Sequence, residues 1–401
     1  MMDEPPQHRP PNTSFKQQRL KAWQPILTAK SVLPTLFILG ILFAPLGGLL
    51  VWRNGQVTEM SFEYTDCDSA ATVTNITNVN FVHSSSVNFE GPTYIISNAV
   101  ASVDPAPGSA ANPFTYNVKR CTIDLTIPVD FQPPVMMYYK LTNFFQNHRK
   151  YTKSMDYKQL AGQAATMDEI NGRKGCNETE LIYPCGLIAN SLFNDTIYGL
   201  VAVPAAGTDQ PSSPDYLFSN QGIASRADKG KFSKYGYTDL TSIHPPTNWR
   251  ERYPLEGYSD AFPPPDISTD EHFQVWMRTA GWSTFLKTYG RGNAVLLKGK
   301  YRLLIDMNFP IRTYGGKKFI VISTIGATGG RNNFLGIGYI VVAVLCAGLG
   351  VIFTAFHIAK PRIIGDHSKI SFGGEATAHT RAPNRADDAG GNRIRSRYED
   401  D

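Results

Sequence analysis

The sequence lacks the signatures by which most enzymes are recognised. It has no G-x-x-x-x-G-K-[ST] phosphate-binding loop, no H-E-x-x-H zinc motif and no G-x-S-x-G nucleophile motif. Its five cysteines form no C-x-x-C pair and have no His at ligand spacing, which argues against a metal site. We therefore interpret the chain as a non-enzyme and expect no catalytic residue, no cofactor and no metal ligand.

The chain also lacks a large excess of charge of one sign. The chain has 39 Lys and Arg residues against 34 Asp and Glu residues, for a net charge of +5, and its C-terminal segment mixes both signs. Proteins that bind nucleic acid usually carry a long basic stripe or patch. We therefore expect no nucleic-acid partner.

Two long apolar runs stand out against this polar background. They cover residues 32–52 and 334–357, and neither contains Asp, Glu, Lys or Arg. At 1.5 Å per residue, about 20 apolar residues cross the roughly 30 Å hydrocarbon core of a bilayer. The first run ends in LLVWRNG without a small-residue cleavage site, which favours an uncleaved anchor over a signal peptide. The sequence thus predicts two transmembrane α-helices.

Basic residues flank each run on the side that leads to a chain terminus. They are Lys16, Arg19, Lys21 and Lys30 before the first run, and Lys360 and Arg362 after the second. By the positive-inside rule, both termini are expected in the cytoplasm. The predicted organisation is a cytoplasmic N-terminal tail (1–31), a transmembrane helix (32–52), a glycosylated, disulfide-stapled lumenal or extracellular domain (53–333), a second transmembrane helix (334–357) and a disordered cytoplasmic C-terminal tail (358–401).

The region between the runs is predicted to be mainly β-structure. Ile123, Leu125 and Ile127 alternate with polar neighbours, and KFIVISTI from Lys318 is a short β-branched run. Such alternation is typical of antiparallel sheets that have one buried face, as in a β-sandwich. Residues 271–289 break the pattern with apolar residues at helical spacing, so we expect a helix there and an α+β domain overall.

Four of the five cysteines fall in this region: Cys67, Cys121, Cys176 and Cys185. An even number in an oxidising compartment predicts two disulfides, although the sequence alone permits three pairings. The fifth, Cys346, lies within the second apolar run. Sequons that predict glycosylation occur at Asn75, Asn177 and Asn194, whereas the match at Asn12 would face the cytoplasm and stay unmodified.

Small residues repeat within both apolar runs. Gly40, Ala44 and Gly48 recur every four residues and so share one helix face, and Ala343 and Ala347 repeat this spacing. Such faces let another helix approach closely. The alternative is that Gly is simply common in membrane helices.

The segment before the first run combines aromatic and basic residues. Phe15, Trp23 and Ile26 alternate with Lys and Arg, a composition that suits an anionic cytoplasmic membrane surface. The alternative is an ordinary basic flank that only sets topology.

Several motifs together carry a family resemblance. They are FKQQRLKAWQPILTA, FEYTDC, MYYKLTNFFQNHRKYTKS, CGLIANSLFNDT, NWRERYP, WMRTAGWSTFLKTYGR and the long stretch from Gly299 into the second run. In this order they resemble the cell-division-cycle-fifty (ligand-effect-modulator) family, the accessory β-subunits of type IV P-type ATPases that flip phospholipids. Members usually have more paired cysteines early in the domain than this chain has.

The resemblance implies a non-catalytic subunit and chaperone. It would form a heterodimer with an ATPase α-subunit among membrane phospholipids, permit export from the endoplasmic reticulum to the Golgi, endosomes and plasma membrane, and support phospholipid translocation to the cytoplasmic leaflet. It also implies the pairs Cys67–Cys121 and Cys176–Cys185. The implied interface comprises Phe15, Arg19 and Trp23 together with the small-residue faces Gly40, Ala44, Gly48, Ala343 and Ala347.

Two functions from other classes remain as alternatives. One is an independent cell-surface receptor or adhesion glycoprotein. The other is an enzyme tethered at both ends, for which no catalytic constellation is visible.

Overall fold

The fold is given by a computed structural model, which describes residues 12–20, 28–87, 89–173, 175–176, 179–204, 211, 213–326 and 329–360. Residues 38–345 form one compact unit, which holds all the strands named below, and a second unit comprises residues up to 37 together with those from 346. Most of the predicted N-terminal tail and nearly all of the predicted C-terminal tail lie outside the described residues.

Two long helices coincide with the apolar runs. The first spans Ala29–Gly55 and the second spans Phe334–Ala359, and both are long and apolar enough to cross a membrane. The first helix extends three residues beyond the apolar run at each end. Its 27 residues correspond to about 40 Å, close to the thickness of a bilayer with its headgroups. The additional polar residues at both ends can therefore remain helical at the membrane surface.

Ten strands occur among the described residues. They are β1 (Glu59–Glu63), β2 (Thr74–Asn75), β3 (Val79–Val82), β4 (Thr93–Val103), β5 (Phe114–Ile127), β6 (Val135–Leu141), β7 (Thr196–Ala202), β8 (Phe285–Gly292), β9 (Gly299–Met307) and β10 (Lys318–Thr324). They form two five-stranded sheets in which every pairing is antiparallel. Sheet A has the order β3-β1-β10-β6-β8, and sheet B has the order β2-β4-β5-β9-β7.

The two sheets share one hydrophobic core. Met60 and Ile320 of sheet A are fully buried in the same cluster as Ile123 and Ile305 of sheet B. Along β5, the predicted alternation is present, because the apolar residues are buried and the polar residues between them are more exposed. The predicted fold class, two transmembrane helices with a large β-rich antiparallel domain, is confirmed.

The register of sheet A defines a near end and a far end relative to the long helices. Thr58, three residues after the first helix, accepts a hydrogen bond from the backbone of Thr324 at 3.0 Å. Thr324 is paired with Val135, and Val135 is paired with Gly292, so these residues form the near end. The strands then run to Leu141, which is paired with both Lys318 and Phe285 at the far end.

Short helices lie in the connections. The α-helical ones are Arg149–Thr152, Tyr157–Leu160, Met167–Ile170, Leu187–Asn190, Arg226–Lys229 and Glu271–Met277, and the 3-10 turns are Thr65–Ser69, Leu240–Ser242, Thr247–Arg252 and Ile311–Tyr314. The helix predicted over residues 271–289 was wrong in its second half. It ends at Met277, and residues from Phe285 form β8, because pairing with β6 outweighs the local helical spacing.

The disulfides join Cys67 to Cys121, with Cα atoms 5.9 Å apart, and Cys176 to Cys185, with Cα atoms 5.2 Å apart. These are the pairs that the resemblance implies. Cys346 is a free, half-buried thiol.

Candidate partner-binding site

The two long helices carry buried residues at intervals of seven, and all but one of them are Gly or Ala. The buried positions are Gly40, Gly47 and Asn54 in the first helix, and Gly336, Ala343 and Gly350 in the second. Seven residues are about two helical turns, so each set lies on a single face. A repeat of this kind is typical of helices that pack along a shared seam.

Contact along this seam is close enough to require glycine. A Cβ placed on Gly47 would lie 2.8 Å from the carbonyl oxygen of Gly336 and 2.8 Å from Cγ1 of Ile340. A Cβ on Gly336 would lie 2.7 Å from Cγ2 of Val51. In hydrocarbon, such backbone approach provides the van der Waals packing that holds helices together. The seam is therefore a contact within this chain.

Polar and aromatic contacts continue the same seam. The Asn54 amide donates to the carbonyl oxygen of Asn332 at 2.6 Å. The rings of Phe43 and Tyr339 meet edge to face, with centroids 5.3 Å apart. Asn54 and Asn332 lie at the ends of the two helices that adjoin the sheets. Their side chain-to-backbone hydrogen bond therefore fixes the two helix ends against each other.

The predicted interface residues therefore divide into two groups. Gly40 and Ala343 are buried within this chain, so neither presents a free surface to a partner. Ala44, Gly48 and Ala347 are exposed, and a Cβ on Gly48 would have no atom of the described residues within 4 Å. The four-residue spacing that we read from the sequence mixes the two groups. The seven-residue repeat was present in the sequence and separates them.

The described part of the N-terminal segment is exposed. The Phe15 side chain retains 76% of its accessible surface, and Arg19 is also exposed. The Arg19 guanidinium donates to the Asn12 side chain at 3.4 Å. Trp23, the third residue of this predicted contact, lies outside the described residues, as does Ile26.

A buried ion pair in the central domain links the CGLIANSLFNDT motif to the long motif that begins at Gly299. Nζ of Lys318 lies 2.6 Å from Oδ2 of Asp195, and both side chains are almost fully buried. The hydroxyl of Tyr64 donates to the same oxygen at 2.9 Å. Burial and the neighbouring Asp195 carboxylate hold the pKa of Tyr64 well above its ordinary value of 10.0. Tyr64 therefore stays a neutral hydrogen-bond donor.

The second oxygen of Asp195 is also satisfied. Oδ1 accepts from the backbone N–H groups of Asn308 and Phe309, each at 2.6 Å. Lys318 in turn donates to the carbonyl oxygen of Phe309 at 3.2 Å, and its ammonium lies 5.0 Å from the centroid of the Tyr64 ring. The network thus joins the residue after β1, the residue before β7, the first residue of β10 and the turn that follows β9.

The predicted glycosylation sites differ in their surroundings. Asn75 is exposed on β2. Asn194 is half-buried, its carbonyl oxygen accepts from Arg252 and Asn308, and its side-chain Oδ1 is buried without a hydrogen-bond partner among the described residues. Asn177 lies outside the described residues. Glycosylation at all three stays a prediction.

Two tryptophans explain why separate motifs lie together. The indole N–H of Trp276 donates to the carbonyl oxygen of Ile188 at 2.8 Å, and that of Trp249 donates to Ala189 at 3.0 Å. Both acceptors belong to the short helix within CGLIANS. The WMRTAGW and NWRERYP motifs are therefore fixed against one helix by their aromatic donors.

Glu271 begins the helix that carries Trp276. Its carboxylate accepts from the backbone N–H groups of Gly222 and Ala224 and from Lys229. Burial raises the pKa of Glu271, but these donors outweigh burial and hold the pKa below its ordinary value of 4.5. Among the described residues, no group of three or more His, Cys, Asp or Glu side chains is placed to hold a metal ion.

Comparison with known proteins identifies the family. The model of the LEM3 (ligand-effect modulator 3) family / CDC50 family matches residues 50–363, which is most of the chain. This chain belongs to the LEM3/CDC50 family. The match begins near the end of the first helix and continues through both sheets and the second helix.

Curated relatives extend the similarity beyond the family match. "Phospholipid-transporting ATPase accessory subunit CDC50" of Chaetomium thermophilum is 35% identical over 379 residues, covering 92% of each chain. "Phospholipid-transporting ATPase accessory subunit CRF1" of Saccharomyces cerevisiae is 37% identical, covering 91% of this chain and 89% of the relative. "Cell cycle control protein 50A" of Bos taurus is 37% identical, covering 86% and 88%. This LEM3/CDC50 chain is thus similar to accessory subunits over nearly their whole length.

Proposed function

We propose that this LEM3/CDC50 protein is the non-catalytic accessory subunit of a phospholipid-transporting ATPase of the P-type, type IV class. The observation that carries the proposal is full-length similarity to proteins named as accessory subunits. The partner moves phospholipid to the cytoplasmic leaflet, and this chain forms a heterodimer with it. The sequence supports this division of labour, since neither apolar run contains Asp, Glu, Lys or Arg that would serve as a pathway for a polar headgroup.

An accessory subunit alters a transport cycle only if its affinity differs between conformations of its partner. Surfaces on both sides of the membrane suit that role. The central domain would contact the partner on the lumenal side, and Phe15 and Arg19, with Trp23, would contact it on the cytoplasmic side. Because the seam occupies one face of each helix, Ala44, Gly48 and Ala347 are the small residues of the predicted interface that remain exposed to meet a helix of the ATPase.

A matched pair of adjacent substitutions tests this assignment. Gly47→Leu forces a side chain against Gly336 and Ile340, an overpacking that we expect to destabilise the helix pair by about 1–3 kcal/mol and to lower abundance of the chain itself. A Cβ on Gly48 meets no atom of the described residues within 4 Å, so we expect Gly48→Leu to keep abundance and thermal stability near wild type while copurification of the ATPase falls. Immunoblots and affinity purification measure both.

Either of two results would contradict this arrangement. One is that Gly48→Leu retains full ATPase copurification, which would place the partner on another face. The other is that Gly47→Leu is as stable as wild type, which would mean that the two spans do not pack through Gly47.

We also propose that both termini are cytoplasmic and that the chain acts as a chaperone for export from the endoplasmic reticulum to the Golgi, endosomes and plasma membrane. The basic residues that flank the spans support this orientation. The central domain then faces the lumen or the cell exterior, where its disulfides form.

Glycan mapping tests the orientation. We expect glycosidase treatment to lower the apparent mass, with a smaller shift after Asn75→Gln, because Asn75 is exposed and would face the lumen. Asn12 carries no sugar in this orientation. A glycan at Asn12, measured by mass spectrometry of the intact protein, would reverse the proposed topology.

A further inference from the structure

An apolar cavity in the central domain has no occupant assigned by the proposed function. It has a volume of about 520 Å³. Of the aromatic residues that line it, Phe144 and Tyr151 are buried, whereas Phe145 and Tyr314 remain 56% and 41% exposed. Leu187, from the CGLIANS helix, completes the apolar lining. We call the cavity, together with Phe145 and Tyr314, the distal groove.

Hydrogen bonds from the segment that follows β6 hold the groove in shape. The Asn143 amide donates to the carbonyl oxygen of Tyr314 at 2.7 Å. The backbone N–H of Phe144 donates to Ser283 at 3.0 Å, and the Asn147 amide donates to Gly281 at 2.9 Å. These bonds hold the backbone at Tyr314 and the segment on both sides of Phe145. A preorganised apolar groove loses little conformational freedom when it binds a ligand.

The groove lies at the far end of sheet A. Strand β6 begins at Val135 in the near end and reaches Leu141 after seven residues, and the segment that follows lines the groove. At about 3.3 Å per residue, the strand alone separates the two ends by roughly 20 Å. The groove is therefore placed away from the long helices, and the bilayer is a poor candidate for its occupant.

Unpaired positive charge borders the groove. Arg149 and Lys150 follow directly on His148, Lys153 lies two residues after Tyr151, and all three are exposed. His148 and Tyr151 both line the cavity. None of them forms an ion pair among the described residues, although other basic residues of the domain, such as Arg250 and Arg312, do. Complementary charge across an interface selects partners and speeds association.

We propose that the distal groove binds an acidic segment of a soluble protein on the lumenal or extracellular side. One bulky apolar side chain of that segment enters the cavity, and its Asp or Glu neighbours lie against Arg149, Lys150 and Lys153. The aromatic residues and Leu187 in the lining explain the apolar anchor, since such side chains favour an apolar group over a hydrated one. The other residues of the lining are polar: Asn143, His148, Asn190, Ser191 and Asn248. The inference rests on the proposed orientation of the central domain, which glycan mapping tests separately, but it does not require that the ATPase itself occupies the groove.

The test uses the full-length glycosylated protein in lipid nanodiscs and a phage-displayed library of random 12-residue peptides. We expect enrichment of peptides that carry Asp or Glu beside Phe, Trp, Leu or Met. The most enriched peptide, labelled with fluorescein, then serves as the probe in anisotropy titrations. Its affinity should fall at least about tenfold in Phe145→Ser. It should also fall at least about fivefold in Lys150→Glu with Lys153→Glu, and rising salt should weaken binding to the wild type.

Matched controls separate the groove from the rest of the surface. Leu255→Ser removes a fully exposed apolar residue elsewhere, and Lys119→Glu with Lys298→Glu reverses two exposed charges on or beside sheet B. Both should leave the affinity unchanged. Thermal unfolding checks that every variant is folded, and Phe145→Leu should retain most of the affinity if Phe145→Ser is unstable.

Three outcomes would overturn the inference. One is a selection without enrichment, or with enrichment of basic or uncharged peptides. Another is a probe that binds the groove variants as tightly as the controls. A third is that the groove binds another kind of partner. That would be shown by binding of the protein to a glycan on an array, or by self-association of the protein in ultracentrifugation, if Phe145→Ser abolishes either one.

Discussion

Lys318→Met is expected to lower the free energy of unfolding of the central domain by about 3–5 kcal/mol, because it leaves the buried Asp195 carboxylate without its counterion. Asp195→Asn should cost a similar amount, since it leaves the Lys318 ammonium buried beside Tyr64. Asp195→Asn also preserves the Asn194-x-Thr196 sequon, so loss of a glycan does not confound it. Thermal or denaturant unfolding of purified protein and surface abundance in cells measure the effect.

The double variant Asp195→Asn with Lys318→Met provides the control. It removes both charges, and we expect it to be more stable than either single variant, since a neutral pair of similar volume avoids an unpaired buried charge. If the three variants are equally unstable, the loss of stability comes from lost packing and not from lost charge pairing. If Lys318→Met alone is stable, the ion pair contributes little to the fold.

Replacing the Cys67–Cys121 disulfide with two serines should destabilise the domain more than replacing Cys176–Cys185. The first bridge closes a loop with a sequence separation of 54, against 9 for the second. By the chain-entropy estimate, closing these loops raises the free energy of unfolding by about 4 kcal/mol for the first and about 3 kcal/mol for the second. Burial increases the difference, because Cys67 and Cys121 are fully buried in the main core, whereas Cys185 belongs to a small separate cluster.

Surface abundance and unfolding temperature under non-reducing conditions compare the two double serine variants. Each variant removes a complete pair, so neither leaves an odd thiol that could form a wrong bridge. Equal effects, or a larger effect of the Cys176–Cys185 variant, would mean that loop length and burial do not set the order.

The sequence predicted the parts of the fold that depend on local pattern. Both membrane helices followed from length and apolarity alone, and strands such as β5 followed from alternation. The predicted helix beyond Met277 was wrong because residues from Phe285 pair with a strand more than a hundred positions earlier. No local pattern contains that information.

Contacts between residues far apart in the sequence also explain which site residues the sequence did not predict. Asp195 and Lys318 are separated by 123 positions, and only the fold brings them to 2.6 Å. For the helix pair, by contrast, the seven-residue repeat of Gly40 and Gly47 is present in the sequence, but it overlaps with the four-residue repeat of Gly40, Ala44 and Gly48, and only the structure shows which of the two is buried. The distal groove draws on four distant segments, so its lining was not predictable from any one motif.

The most direct test of the proposed function is to purify this chain alone and together with a candidate phospholipid-transporting ATPase, and to measure phospholipid-stimulated ATP hydrolysis and lipid movement in vesicles. We expect the chain alone to be inactive, a one-to-one complex to form with the ATPase, and activity to require both subunits. The proposed function is contradicted if the chain alone hydrolyses ATP or moves lipid. It is equally contradicted if no such ATPase copurifies with it, or if the ATPase is exported and works normally without it.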